Sequence, residues 1–458
     1  MTPRSCRVFP ALALVCLACS HDEPRKDVTT APPLAEHLTG PETYCAECHP
    51  KHVDEWKSSA HAYSLHDPVF AAMVGFGQQQ TKGELGGFCV QCHTPTGFRN
   101  GETDVSVDGA GDAGVYTQPI TGLSQDAMDG VSCTVCHSID KVNTVANADF
   151  DMATDGIRRA EIRDPDPNPK HSSIYSPLHE DTEMCGTCHV VVNSNRVALE
   201  QTHIEWVDSI FAGSKTCQDC HMPSRKDVAA VGHGERTVHD HAFVGADVSL
   251  LPEKDFPGYD DSRAKVETLL QSSAVLSASA DPVAKTLTLQ IQNLAGHALP
   301  SGATADRQMW VELIVTDGSG NRVFESGTLD ENGDLRTSDP ARTTQPGSDP
   351  ALILYGQVML FDPKVADPTS TEPARPVDFL WEPNAETSHL IPPSVTDRPS
   401  YDLSSLPAGS YSAAIRLLFR SFPPHVLRRL EAIAGLDPAV RDRVPTVEMA
   451  SISVSFAL

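Results

Sequence analysis

Ten of the chain's thirteen cysteines fall into five copies of one pattern, Cys-x-x-Cys-His. The copies are Cys45-Ala46-Glu47-Cys48-His49, Cys89-Val90-Gln91-Cys92-His93, Cys133-Thr134-Val135-Cys136-His137, Cys185-Gly186-Thr187-Cys188-His189 and Cys217-Gln218-Asp219-Cys220-His221. Each copy reads as a covalent attachment site for a c-type haem. Two thiols bond the vinyl groups on one porphyrin edge, and the adjoining imidazole lies under the iron as its proximal ligand. A chain that carries five such groups must fold around them, because porphyrin rather than side chain fills its interior.

The remaining cysteines strengthen this reading. Cys6, Cys16 and Cys19 lie in the first nineteen residues, and none follows Cys220. Nothing is left over for the disulfide framework of a small exported domain. A lone Cys-x-x-Cys would equally suit half a zinc site or a thiol redox motif. Five copies, each closed by histidine and with no spare thiols, point to five haem c groups.

The first nineteen residues read as a signal peptide. Arg4 and Arg7 give a basic start, Val8 to Leu17 form an apolar run, and Cys16-Leu17-Ala18-Cys19-Ser20 resembles a bacterial lipobox. Cys19 is then the lipidation site and first mature residue; the alternative is simple cleavage to a soluble periplasmic form. Both imply export, to a membrane-anchored position facing the periplasm or cell surface or to the periplasm itself. Residues 20–40, with Pro24, Pro32 and Pro33, read as a tether. Beyond residue 19 no stretch approaches the roughly 20 apolar residues of a membrane span, so membrane contact is expected only through the lipid. The formal net charge of -26 argues against nucleic acid and anionic lipid as partners. It suits redox proteins of the envelope that present basic patches, other cytochromes among them.

Length alone, 458 residues, suggests two to four domains. Residues 41–245 hold all five motifs and read as an α-rich, loop-rich pentahaem domain with weak apolar periodicity. Tyr44 to Ser64 is the clearest helical piece, with Val53 and Trp56 on one face. Residues 100–130, rich in Gly and Asp, read as an irregular surface insertion, and residues 164–177, with four prolines, as extended chain. Five haems have ten axial positions, of which the motif histidines fill five. His52, three residues after His49, points the same way in a helix and reads as a surface or propionate contact. His61 lies twelve residues past His49, about 18 Å along a helix, which suits a neighbouring haem. His171 and His179 precede the fourth motif, and each is a candidate distal ligand for an earlier haem. His239 and His241 follow the fifth motif and share a face in extended chain; they are candidates for two haems, or for one haem and a hydrogen bond. His66, His203 and His233 are weaker candidates.

Several stretches together resemble a known family. They are Cys45-Ala46-Glu47-Cys48-His49-Pro50 followed by Trp56-Lys57-Ser58-Ser59-Ala60-His61, then Gly130-Val131-Ser132-Cys133, Cys185-Gly186-Thr187-Cys188-His189, Glu205-Trp206, and Thr216-Cys217-Gln218-Asp219-Cys220-His221-Met222-Pro223. The chain is similar here to the cytochrome c-552/c-554 family, relatives of the tetrahaem electron acceptor of hydroxylamine oxidoreductase. The resemblance covers roughly residues 41–245. It implies that His61 is a distal ligand. It also implies bis-histidine haems mixed with one that is five-coordinate.

Residues 246–458 lack cysteine and carry strand signals. Leu287, Leu289 and Ile291 alternate with polar residues, as do Met309, Val311, Leu313 and Val315. A turn at Asp317-Gly318-Ser319-Gly320-Asn321 returns the chain to Val323–Glu325. Tyr411 to Phe419 and Ala450 to Leu458 alternate likewise, and Val426 to Ala434 offers one short helix. The pattern predicts an all-β antiparallel sandwich. The loop Asn293 to Gly302 resembles one found in C-terminal regions of related multihaem proteins; its His297 is either a distal ligand or hydrogen-bond donor at an interfacial haem, or a polar loop histidine.

Two main functions compete. One is electron transfer in the bacterial cell envelope, with ligands and burial setting haem potentials. The other is a haem-dependent oxidoreductase acting on a small nitrogen or sulfur compound at a five-coordinate haem, in which case the catalytic residues are not identifiable from sequence. An adhesion or scaffold role for the β half would leave five haems idle.

Overall fold

The computed structural model describes residues 44–109, 114–337 and 348–458. The expected signal peptide, Cys19 and the tether lie outside the described residues. Among the described residues, no helix is long and apolar enough to cross a membrane.

The N-terminal half is loop-rich, and its helices are short. The expected helical piece divides at Ser58-Ser59 into Pro50–Lys57 and Ala60–Tyr63, with the Ser59 hydroxyl capping the second by accepting from the Ala62 N–H. Val53 and Trp56 are buried, as their shared face predicts. The longest helix of this half, Pro68–Gln80, escaped the periodicity reading. Asp67 caps it by accepting from the Val69 N–H, and Pro68 opens its first turn. Its first ten residues are apolar nearly all round, so it has no polar face to betray a helical period. Among the described residues, five two-stranded ladders share this half. Ser106–Asp108 pairs with Val115–Thr117, Ile139–Val142 with Phe150–Met152, Ile157–Ala160 with Ser172–Tyr175, Val191–Val192 with Ala198–Glu200, and Ser224–Val228 with Glu235–His239. Residues 100–130 are not all surface: Gln118 and Ala127 are buried, and Gln118 accepts from the Gln78 amide at 2.9 Å.

The C-terminal half holds two antiparallel sheets. The four-stranded sheet contains Ala274–Asp281, Thr286–Asn293, Thr396–Asp397 and Ser400–Asp402. The seven-stranded sheet is built on Gln308–Asp317, Ser410–Arg420 and Val447–Ala457, with Leu354–Phe361 and three shorter strands beside them. Leu287, Leu289 and Ile291 are fully buried while Gln290 and Gln292 are exposed. These three join Val311, Leu313, Val315, Ile415 and Leu417 of the other sheet in one apolar cluster. Leu418, on the opposite face from Leu417 and Phe419, packs with Trp310 and Leu335 in a separate small cluster, and the pairing with Val447–Ala457 carries a bulge at Leu417/Leu418. The helix Pro424–Ala434 matches expectation, whereas Tyr259–Ser272 was not foreseen.

The two halves do not have separate cores. Tyr63, Val69 and Met73 belong to the same apolar cluster as the strand residues. The Tyr63 hydroxyl accepts from the Leu250 N–H at 2.9 Å, and Arg307 pairs with Asp247 at 2.7 Å. The helix Pro68–Gln80 packs against Pro424–Ala434, with Phe76 4.9 Å from Phe379. Gly77 permits this approach: a Cβ there would lie 2.6 Å from Leu85 Cδ2 and 2.9 Å from the Trp381 ring.

Candidate haem-binding site

One continuous cavity of about 1440 Å³ is lined by all ten motif cysteines and all five motif histidines. Each motif sits on a short helical turn, which brings the two thiols three residues apart onto one face. The fifth is fixed by a capping box, with the Thr216 hydroxyl accepting from the Asp219 N–H and the Asp219 carboxylate accepting from the Thr216 N–H. The thiols of several motifs are neighbours. Cys45 lies beside Cys133, Cys92 beside Cys188, and Cys185 beside Cys217. The first motif therefore adjoins the third, and the fourth adjoins both the second and the fifth.

All five motif histidines are held by Nδ1, which leaves Nε2 for the cavity. His49 Nδ1 donates to the Ala229 carbonyl at 2.6 Å, His93 to Ser64 at 2.8 Å, His137 to Arg159 at 2.7 Å and His221 to Val244 at 2.7 Å. His189 instead donates to the Glu200 carboxylate, also at 2.8 Å.

Four of these rings face a second imidazole. His49 faces His171 with centroids 6.4 Å apart, His137 faces His241 at 6.4 Å, His189 faces His61 at 6.4 Å, and His221 faces His297 at 6.3 Å. A metal–imidazole bond of about 2.0–2.1 Å, with roughly 1.15 Å from nitrogen to ring centroid, puts two imidazoles on one metal about 6.4 Å apart. The four gaps thus fit one iron each. Burial also favours the neutral form in six of these rings, as ligation requires. It pulls His61 down to about 3 and His241 to about 4, and lowers His137, His171, His221 and His297 from the usual imidazole value. His189 is the exception: burial opposes protonation, but the Glu200 carboxylate outweighs it and pushes His189 up to about 9.

His93 differs. Among the described residues, no imidazole faces it across such a gap, and Phe70 stacks on its ring at 4.1 Å and 10°.

Three histidines are placed elsewhere. His179 lies 5.6 Å from His137, too close for an intervening iron, and its Nε2 is occupied by the Cys136 carbonyl at 3.0 Å. His239 has both nitrogens engaged, Nδ1 with the Met222 carbonyl at 2.5 Å and Nε2 with Glu161 at 3.1 Å. His52 is neither a surface residue nor free: it is half-buried, pairs with Glu55 at 3.4 Å and lies 4.6 Å from His241. Its 6.3 Å spacing from His49 reflects two rings side by side on one helix, not two rings opposed. His66 donates to the Met128 carbonyl, His203 bonds Thr182 and His233 pairs with Asp166.

His297 reaches the cavity from the C-terminal half because its loop is tied down on both sides. Asn293 Nδ2 donates to the His297 carbonyl at 2.8 Å, and Glu205 Oε2 accepts from the Ala298 N–H at 3.1 Å and the Ser301 hydroxyl at 2.6 Å. Neither Glu205 nor Glu200 was singled out by sequence reasoning as a supporting group; isolated glutamates in a chain with 61 acidic residues carry no local signal.

Residues 44–138 match the family model described as cytochrome c554 and c-prime. The fold is similar to the crystal structure of a penta-heme cytochrome c552 from Thermochromatium tepidum, with a TM-score of 0.59 and 20% identity over 92% of this chain and 99% of that one. No curated protein matches the chain. With five Cys-x-x-Cys-His turns around a single cavity, the chain is a multihaem cytochrome c whose residues 44–138 resemble the cytochrome c554 family.

Proposed function

We propose that the chain is an exported five-haem electron carrier of the bacterial cell envelope. The observation that carries this reading is the set of four imidazole pairs spaced 6.3–6.4 Å apart within one cavity. Cys45 and Cys48, Cys89 and Cys92, Cys133 and Cys136, Cys185 and Cys188, and Cys217 and Cys220 attach the five groups. His49, His93, His137, His189 and His221 would each hold one iron, and His171, His241, His61 and His297 would supply a second imidazole to four of them. Bound haem c supplies one-electron iron chemistry. The chain's own contribution is to bury the ligands, pin each motif imidazole through Nδ1, and set neighbouring motifs in contact so that the first leads to the third and the fourth links the second and fifth.

The supporting assignments follow from the same reading. The two sheets form a sandwich whose loop 293–302 completes the fifth site. Cys19 carries a lipid that anchors the protein, and the acidic surface meets basic redox partners. The experiment is production of the full chain in a host that attaches c-type haem, followed by iron and haem counts per chain and electron exchange with a small redox dye. Five haems, four of them low-spin, and rapid exchange are expected; fewer than five covalently bound haems would overturn the assignment. A Cys19→Ala form should leave the membrane fraction for the soluble one.

A second reading, a haem-dependent oxidoreductase acting on a small nitrogen or sulfur compound, is favoured by one observation, the unpaired ring of His93. It requires a high-spin component in the ferric spectrum that shifts on adding nitric oxide or hydroxylamine. An all-low-spin spectrum that ignores both would eliminate it.

A further inference from the structure

Four motif histidines rest their Nδ1 on a backbone carbonyl, and one rests it on a charge. His189 donates to Glu200 Oε1 at 2.8 Å. The local chain builds this contact. After the fourth motif, Val191–Val192 turns back on Ala198–Glu200, and Asn193 Oδ1 braces the turn by accepting from the Asn195 and Val197 N–H groups. The return strand sets Glu200 beside the imidazole it has just passed. The C-terminal half clamps the hairpin, with Asn193 Nδ2 donating to the Pro383 carbonyl at 2.9 Å and Gln357 Nε2 to the Ala198 carbonyl at 3.0 Å. The carboxylate is thus a fixed feature of the cavity wall. Thr202 donates weakly to the same oxygen at 3.4 Å.

The opposite side of this pair is different. His61 Nδ1 is buried and has no hydrogen-bond partner. The His171, His241 and His297 rings all bond a backbone carbonyl through Nδ1. The His189–His61 pair therefore combines a carboxylate-bonded ring with a ring that has no acceptor. It is also the most twisted pair, 48° between planes against 15–26° in the other three.

A carboxylate on the outer nitrogen of a metal-bound imidazole gives the ring imidazolate character and makes it a stronger donor. A stronger donor and a nearby buried anion both favour the ferric over the ferrous state. The Arg307 guanidinium lies near enough to offset part of that charge, but the hydrogen bond itself remains. We infer that Glu200 is a positioning residue that gives the iron held by His189 the lowest reduction potential of the five. This rests on His189 being an iron ligand, as read above. The fourth motif touches the second and the fifth through its thiols, so the iron hardest to reduce sits at the junction. Electrons would then rest on the outlying haems and cross the junction only in transit.

The test is a potentiometric titration of the full-length, haem-loaded protein, followed by visible and low-temperature electron paramagnetic resonance spectra. In the wild type, the ferric signal of the strongly twisted pair should be the last to vanish on reduction; its disappearance ahead of the near-parallel signals would overturn the inference without any variant. In Glu200→Gln, which keeps an acceptor and removes the charge, that component should gain at least tenfold in its reduction equilibrium, about 59 mV for one electron. The other four should hold their positions. Five unmoved components in a protein that retains all its haem would refute the role of Glu200. His189→Ala separates this from the underlying ligand assignment. If it abolishes the twisted low-spin signal while Glu200→Gln moves nothing, only the inference fails. If the signal survives His189→Ala, both fail.

Discussion

His297→Ala tests whether the C-terminal half holds a haem iron. The imidazole of His297 faces His221 at 6.3 Å with planes 15° apart, the flattest of the four pairs. The loop around it depends on its backbone more than on its ring. Asn293 bonds the His297 carbonyl, and Glu205 takes the Ala298 N–H and the Ser301 hydroxyl. The ring adds only a 3.1 Å contact from Nδ1 to the Ala298 carbonyl. Alanine keeps every backbone bond, so the change should cost about 1 kcal/mol or less of stability beyond the lost ring packing. Its spectroscopic effect is large. Four pairs fall to three, so the low-spin ferric signal should drop by about a quarter and the high-spin component, present in the wild type from the unpaired His93 site, should grow in its place. Free imidazole added to the variant should enter the space left by the ring and restore the low-spin signal. Full low-spin intensity in the variant, with five haems bound, would mean that His297 is a buried loop histidine and that the fifth motif finds its partner elsewhere.

Three further outcomes are expected. His179→Gln should leave the low-spin signal whole, because its Nε2 is spent on the Cys136 carbonyl; loss of one low-spin centre would restore it as a ligand. Tyr63→Phe removes the acceptor of the buried Leu250 N–H and should cost about 1–3 kcal/mol, measured by chemical denaturation; a cost near zero would show that the junction between the halves is wetter than its packing. Asp67, half-buried, is pushed up by desolvation to about 6 from 3.8. Because its folded value lies above its unfolded one, its contribution to stability is full below pH 4 and fades as pH rises through 6, by roughly 2–3 kcal/mol. Asp67→Asn, which still caps the helix, should erase that stretch of the pH profile; parallel wild-type and variant profiles between pH 4 and 7 would refute the assignment.

The residues that hold haem covalently are local in sequence, and so they are legible: Cys-x-x-Cys-His states its geometry within five positions. The residues that complete each iron are not. His61 precedes two motifs it does not face and pairs with the fourth, and His241 follows the fifth motif but faces the third. Nothing in a histidine's neighbourhood encodes which distant ring it meets, although Trp56-Lys57-Ser58-Ser59-Ala60-His61 identified a candidate through its resemblance to a family pattern. His179 and His239 looked equivalent to His171 and His241 because the distinction lies in which ring nitrogen a backbone carbonyl or carboxylate claims. The strands were easier, since Leu287, Leu289 and Ile291 against Gln290 and Gln292 write the sheet's two faces directly. Pro68–Gln80 was missed for the opposite reason: it is covered on too many sides to leave a polar stripe.

That helix also explains why a division at residue 245 follows the cysteines but not the packing. A haem-lined interior supplies large apolar surfaces but few side chains that lock a backbone in register, and with aromatic content at 6% the N-terminal half has little of its own to build a core from. Pro68–Gln80 faces both ways. Phe70 lies on His93, while Val69 and Met73 join the strand cluster and Phe76 meets Phe379. The rigid sheets thereby hold one wall of the cavity, through this helix, through Asn193 on Leu380 and Pro383, and through the His297 loop on Glu205. Reduction potentials depend on how firmly ligands and their partners are held. On the proposed reading, a β module that presents His297 to the cavity and braces the Glu200 hairpin belongs to the redox apparatus.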